Sequence, residues 1–339
     1  MHSGVGVVVI GRNEGERLRR CLRSLGEQVR RAVYVDSGSQ DDSVAFARSL
    51  GAQVVELDTS IPFTAARARN EGCLALVAAD AGVEWVQFVD GDCEVEAGWL
   101  ERASQELRRD SALAVVFGRR RERQRDASVY NRLCDLEWDV PIGDVETCGG
   151  DAMMRLAPLR LVGGYDATLI AGEEPDLCRR LRAIGFGIRR IDAPMTVHDA
   201  AMHRFGQWWR RTMRAGYVEA EGVTRLGRAY PRFRSAVGNL FWAVAVPIVA
   251  LVIAASAFVG GRPVIGAFAL AAPMLLYLLQ WWRIRRHASR RWPAVDAALY
   301  ARYCVLGKWP SVHGMLVHWW RHVTRRQRRL IEYKGADAR

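Results

Sequence analysis

The sequence predicts an α/β domain, a mostly parallel sheet with helices on both faces, followed by two membrane-spanning helices and a basic tail. Three observations predict it. Short β-branched runs alternate with helical segments through the first third of the chain. No charged residue occurs from Ser235 to Gly261, or from Pro263 to Trp282. The excess positive charge is confined to the C-terminal third.

The elements follow in order. Val5–Ile10 is a β-branched run bounded by glycine and reads as a buried parallel strand. Because no basic segment precedes it, it does not read as a signal peptide, and the expectation is a domain that stays in the cytosol. Glu14–Leu25 predicts a helix with Leu18, Leu22 and Leu25 on one face. Strands at 32–35, 53–57 and 85–89 alternate with helices at 42–50, 65–79 and 97–107. In such sheets ligands bind beyond the carboxyl ends of the strands, so those tips are the places to search for chemistry. The two uncharged stretches each exceed the roughly 20 residues needed to cross a ~30 Å hydrocarbon layer. Only Gly260-Gly261-Arg262-Pro263 separates them, which makes them a hairpin. Arginines at 225, 228, 232 and 234 precede the hairpin, and those at 283, 285, 286, 290 and 291 follow it, so both flanks belong on the cytoplasmic side. The expected organisation is a catalytic domain over 1–222, a basic juxtamembrane segment over 223–237, two spans within 238–283, and an interfacial amphipathic tail over 284–339.

Charge narrows the function. The chain carries +12, and Ala236 to Arg339 holds fifteen basic and three acidic residues, so residues 1–235 are neutral. A nucleic-acid enzyme puts its basic excess on the catalytic body; here it accompanies the apolar third and suits anionic membrane lipids. The seven cysteines form no CxxC pair, which disfavours a disulfide framework or a zinc knuckle.

The strand tips carry the informative residues. After Val86-Gln87-Phe88-Val89 come Asp90-Gly91-Asp92, whose two carboxylates point the same way in an extended segment. Paired carboxylates suit a hard divalent cation that shares phosphate oxygens, although Asp and Gly serve equally well in a simple turn. Asp36 ends the second strand, before Ser37-Gly38-Ser39-Gln40-Asp41, and could accept from a base N–H or a ribose hydroxyl. Gly11-Arg12-Asn13-Glu14 ends the first strand at a helix start suited to phosphate or a polar base edge.

These motifs, in this order, resemble the family 2 glycosyltransferases with their Rossmann-like GT-A nucleotide-sugar fold, over about Val5 to Gly222. The resemblance implies donor contacts from Asn13 and Glu14, from Asp36 in a uridine-contacting loop, from Arg67 and Asn70 in Ala66-Arg67-Ala68-Arg69-Asn70, and from Asp90. Asp92 and Asp90 would hold Mg²⁺ or Mn²⁺, with His198 as a third ligand. Gly149-Gly150-Asp151-Ala152-Met153-Met154-Arg155 resembles the acceptor-side strand. Gly172-Glu173-Glu174-Pro175-Asp176 resembles the acidic helix that carries the general base. Glu174 takes the base's place with Glu173 as the alternative, since both positions are Glu where the family usually has Glu-Asp, and Asp176 would orient the acceptor. The plainer role for all three is to complement a helix dipole. Gln207-Trp208-Trp209-Arg210-Arg211 resembles a degraded QxxRW motif, in which Arg210 and Arg211 could clamp the leaving diphosphate. The implied reaction is inverting transfer from a UDP- or GDP-sugar to a lipid-linked or glycan acceptor at the inner membrane. A processive polysaccharide synthase is one alternative, and a catalytically inert nucleotide-sugar sensor or scaffold is another.

Overall fold

The computed structural model describes residues 4–324. Within them the chain forms two compact units, one of residues 4–127 and 137–201, the other of residues 128–136 and 202–324.

The first unit is built from β1 (Val5–Gly11), α1 (Glu16–Ser24), β2 (Ala32–Asp36), α2 (Ser43–Ser49), β3 (Gln53–Glu56), α3 (Ala65–Ala79), β4 (Trp85–Asp90), β5 (Cys93–Val95), α4 (Trp99–Arg109) and β6 (Leu113–Glu122). After α5 (Val129–Trp138), most of which belongs to the second unit, it continues through β7 (Gly143–Asp144), β8 (Ala152–Arg155), α6 (Leu156–Leu161), α7 (Glu173–Ala183) and β9 (Gly187–His198). The strands make one sheet in the order β3-β2-β1-β4-β8-β6-β9-β5, with β7 paired to β9. The expectation of a mostly parallel sheet needs correction, because four pairings are parallel and four antiparallel. The half that the sequence pattern covers, β3-β2-β1-β4, is parallel. Beyond it β8 runs antiparallel to both β4 and β6, and it lies in a segment without clear periodicity.

β1 is apolar at every position because both faces are covered. Helix α3 closes on one face, and its Gly72 explains how near it comes: a Cβ there would stand 2.5 Å from Val8 Cγ1 and 2.7 Å from Val35 Cγ2. The sheet's register then sets the site. Across β1, Ile10 is opposite Asp90 and Gly11 opposite Asp36, so the first three tips are neighbours. Just past β4 the short β5 turns back along β9, which brings Cys93 opposite His198.

The second unit holds α8 (Phe205–Leu226), α9 (Phe233–Leu240), α10 (Val246–Val259), α11 (Pro263–Ala288), α12 (Ala294–Leu306) and α13 (Lys308–Val323). The residue 222/223 junction expected from sequence falls inside α8, and all of α8 belongs to this unit. A π-helical turn, Phe241–Ala245, joins α9 to α10 immediately before Pro247. A residue that cannot donate its backbone hydrogen bond is accommodated by such a widened turn. The continuous helix Phe233–Val259 and the helix Pro263–Ala288 are each long and apolar enough to cross a membrane, by length and composition. Part of the tail expected on lipid is packed on protein instead. Pro310, Val312, Gly314, Met315 and His318 of α13 are buried, and α13 lies tightly against α8. The reason is the absence of side chains at Gly216 and Gly314, where a Cβ would meet Ser311 O at 2.0 Å and Met213 O at 1.9 Å. Residues 325–339, the rest of that tail, lie outside the described residues.

Candidate active site

The loops after β1 and β2 are laced to each other. Asn13, in a left-handed conformation with φ 53°, donates its backbone N–H to Ser39 Oγ and accepts the Gln40 N–H on its side chain. Gly15 N–H bonds Asp41 Oδ2, and Ser43 N–H bonds Asp41 Oδ1. Burial pushes the Asp41 carboxyl up, but the Ser43 hydroxyl and the Ser43 and Gly15 amides outweigh it and hold its pKa below the ordinary value. Asp36 is buried, and its carboxylate accepts from Tyr34 Oη at 2.9 Å and from the amides of Gly38 and Ser39. It therefore shapes its own loop. Glu14 forms an ion pair with Arg17.

Beyond β4 the two aspartates separate. Asp90 is held by Arg69 at 2.8 Å and faces Arg120 at 3.8 Å. Arg69 also reaches Glu173, at the start of α7, at 2.8 Å. Arg120 pairs at 2.8 Å with Asp151, which is fully buried, accepts the Asp90 N–H and is bonded by Thr196 Oγ1. Glu173, Arg69, Asp90, Arg120 and Asp151 thus form one alternating chain of charge. Burial lowers the pKa of Arg69, but the carboxylates of Asp90 and Glu173 and the Tyr165 hydroxyl raise it above the ordinary value, which keeps the cation charged.

Asp92 takes the other direction. Its Oδ2 lies 3.4 Å from His198 Nε2, while His198 Nδ1 lies 3.7 Å from Glu122 Oε2, and the imidazole stands edge-on to Trp138. Donor atoms of Asp92, Cys93 and His198 fall within 4.8 Å of one another. One carboxylate and one imidazole, with waters and phosphate oxygens to complete the shell, suit a Mn²⁺-like ion. Asp90, named with Asp92 as a ligand, pairs with Arg69 and faces Arg120, and its donor atom also lies within 4.8 Å of those of Cys93 and Asp151.

The acidic start of α7 contributes three carboxylates in different settings. Glu173 belongs to the charge chain. Glu174 Oε1 accepts the Cys148 N–H at 2.6 Å and the Cys178 thiol at 3.3 Å. Asp176 is clamped by Arg179 and Arg180. Of the donor residues named on α3, Asn70 exchanges two hydrogen bonds with the Tyr165 backbone, and Arg67 bonds the carbonyls of Asp58 and Ile61. Both hold loops. Arg69, between them in sequence, is the residue that reaches the charged site. Its signal was available: Ala66, Arg69, Gly72 and Leu76 form one buried stripe, and an arginine on a buried stripe must be paired. Arg120, Asp151 and Glu122 had no comparable pattern. Arg210 and Arg211 belong to α8 of the second unit, where Gln207 Oε1 accepts the N–H groups of His203 and Arg204 and so caps the helix.

The acidic β4 tip thus lies beside the laced loops after β1 and β2 and is tied through Arg69 to the acidic start of α7. Residues 6–143 match the glycosyl transferase family 2 model. A TPR repeat-containing protein of Synechococcus elongatus is 36% identical over 133 residues, 39% of this chain and 31% of its own length. A pre-mycofactocin glycosyltransferase of Mycobacterium tuberculosis is 29% identical over 214 residues, 58% of this chain and 43% of its own. The matches therefore span less than half the length of these relatives. Among solved structures, the mannosyltransferase PcManGT from Pyrobaculum calidifontis, in complex with GDP-Man and Mn²⁺, aligns with a TM-score of 0.55 at 18% identity, over 94% of this chain and 88% of that one. The shared fold is GT-A.

Proposed function

We propose that this protein is an inverting, metal-dependent glycosyltransferase that uses a UDP- or GDP-sugar at the cytoplasmic face of the cell membrane. The observation that carries the reading is the position of Asp90-Gly91-Asp92. Asp92 stands beside His198, and Asp90 is tied through Arg69 to the acidic start of α7. A divalent cation held by Asp92 and His198 would neutralise the pyrophosphate of the departing nucleoside diphosphate. The likeness to a pre-mycofactocin glycosyltransferase, and to a fold solved with GDP-Man and Mn²⁺, supports the same choice.

Glu174 is the base in this reading. Glu173 is committed to Arg69, whereas Glu174 is steadied through Oε1 alone, and Oε2 has no hydrogen-bond partner among the described residues. A carboxylate fixed by one oxygen can take the acceptor hydroxyl proton on the other. Asp176 orients the acceptor side.

The acceptor is a lipid-linked sugar or glycan. Support comes from the two long apolar helices, in whose most apolar windows only 17% and 6% of residues are buried in protein, unlike the core helices of a soluble domain. Their arginine-rich flanks support the reading that both ends of the hairpin face the cytoplasmic, anionic-lipid side.

The test is Glu174→Gln. Transfer from the accepted nucleotide sugar should fall about 100-fold or more in kcat, with nucleotide affinity kept. Unchanged transfer in this variant removes Glu174 from the base's role.

A further inference from the structure

Two thiols beside Glu174 have no part in the mechanism above. Cys148 Sγ lies 3.7 Å from Cys178 Sγ, and Cys178 Sγ lies 3.3 Å from Glu174 Oε1. Donor atoms of all three residues fall within 4.8 Å of one another. Glu174 and Cys178 are four residues apart on α7 and so share a helix face. Cys148 comes from the loop before β8 and is pinned there by its own N–H bond to Glu174 Oε1. Both cysteines are free thiols.

The spacing is that of a tetrahedral metal shell. Two zinc–sulfur bonds of about 2.3 Å meeting at the tetrahedral angle put their sulfurs about 3.8 Å apart, and a zinc-bound sulfur and carboxylate oxygen about 3.5 Å apart. The observed 3.7 Å and 3.3 Å match both edges to within a few tenths of an ångström. Two thiolates with one carboxylate are a soft donor set, unlike the carboxylate and imidazole at Asp92 and His198.

We propose that Cys148, Glu174 and Cys178 form a second cation site, for a soft divalent ion of the zinc class. Each thiol releases its proton to solvent as its sulfur bonds the ion, and Glu174 Oε1 becomes the third ligand. A cation on Oε1 draws electron density from the carboxylate and weakens Oε2 as a proton acceptor, so zinc-class ions inhibit sugar transfer. That consequence, unlike the site itself, rests on Glu174 being the base.

The experiment is a Cd²⁺ titration of the full chain in detergent with a non-thiol reductant, read by the ultraviolet thiolate-to-metal charge-transfer band. Transfer is assayed in parallel with Mn²⁺ present and Zn²⁺ rising. The expected result is a band that saturates at one ion per chain, with affinity lowered about tenfold or more in Cys148→Ser and in Cys178→Ser, and unchanged in Cys93→Ser. Glu174→Gln, which leaves both thiols in place, should keep the band but bind more weakly, and it carries the test if a cysteine variant fails to fold. No band, a band that depends on Cys93, or a band indifferent to Cys148, Cys178 and Glu174 overturns the proposal. A Cys148- and Cys178-dependent band with transfer insensitive to Zn²⁺ leaves the site standing and overturns the assignment of Glu174 as base. A transfer-dead Glu174→Gln in a protein that shows no band does the reverse.

Discussion

Arg69 is the residue on which the charged site turns. It is 3% exposed and bridges Asp90 and Glu173. Removing one partner of a buried ion pair leaves uncompensated charge, at a cost of about 3–5 kcal/mol; Asp90 is partly exposed, so the lower end applies. Arg69→Ala should lower the denaturant midpoint accordingly. Arg69→Lys should recover only part of the loss, because an ammonium lacks the planar fork that spans two carboxylates. Equal stability of Arg69→Lys and the unmodified protein would contradict the bridging role. Asp41 offers a test by pH. Its folded pKa lies below its unfolded value, so its contribution is present above the unfolded pKa and lost as pH falls through the folded one. Asp41→Asn should therefore lower stability at neutral pH and flatten the acid limb of the stability curve below about pH 4, where the two proteins converge. At this scale residue types were more legible in the chain than roles. Asp36, expected to contact the nucleotide, has a carboxylate that accepts hydrogen bonds from Tyr34, Gly38 and Ser39. Arg69 was passed over for Arg67 and Asn70, because a motif marks a stretch of chain while burial picks the side chain.

At the scale of elements, the strands and helices with clear periodicity lie where the pattern put them: the helix expected over 65–79 is α3, Ala65–Ala79. β8 and β9 were harder to read. β8 is four residues long, and its order in the sheet depends on partners distant in sequence. No local pattern could say that β5 and β9 would run antiparallel and set Asp92 beside His198. The α8–α13 contact was hidden for a related reason, since glycines that look like helix weaknesses are the points of closest approach. Gly314→Ala places a Cβ 1.9 Å from a backbone oxygen that a side-chain rotation cannot clear. Overpacking of this kind costs about 1–3 kcal/mol, and a thermal scan should show a lowered unfolding temperature. Unchanged stability would mean that the two helices are not packed so closely.

For the whole molecule, charge and hydropathy separated an uncharged helical hairpin from a neutral α/β body without any structure. The helices Phe233–Val259 and Pro263–Ala288 coincide with the two uncharged stretches. What composition could not reveal is that residues 128–136 join the C-terminal unit, where Arg132 pairs with the buried Asp296. In the α/β body, we propose, Asp92 and His198 hold a cation that the donor's pyrophosphate needs. Calorimetric titration of UDP and GDP into the full chain, with and without Mn²⁺, tests it most directly. One of the two nucleotides should bind only when Mn²⁺ is present, and Asp92→Asn should weaken that binding at least about tenfold, or roughly 1.4 kcal/mol. Nucleotide binding that ignores both the cation and the Asp92 substitution would contradict the claim.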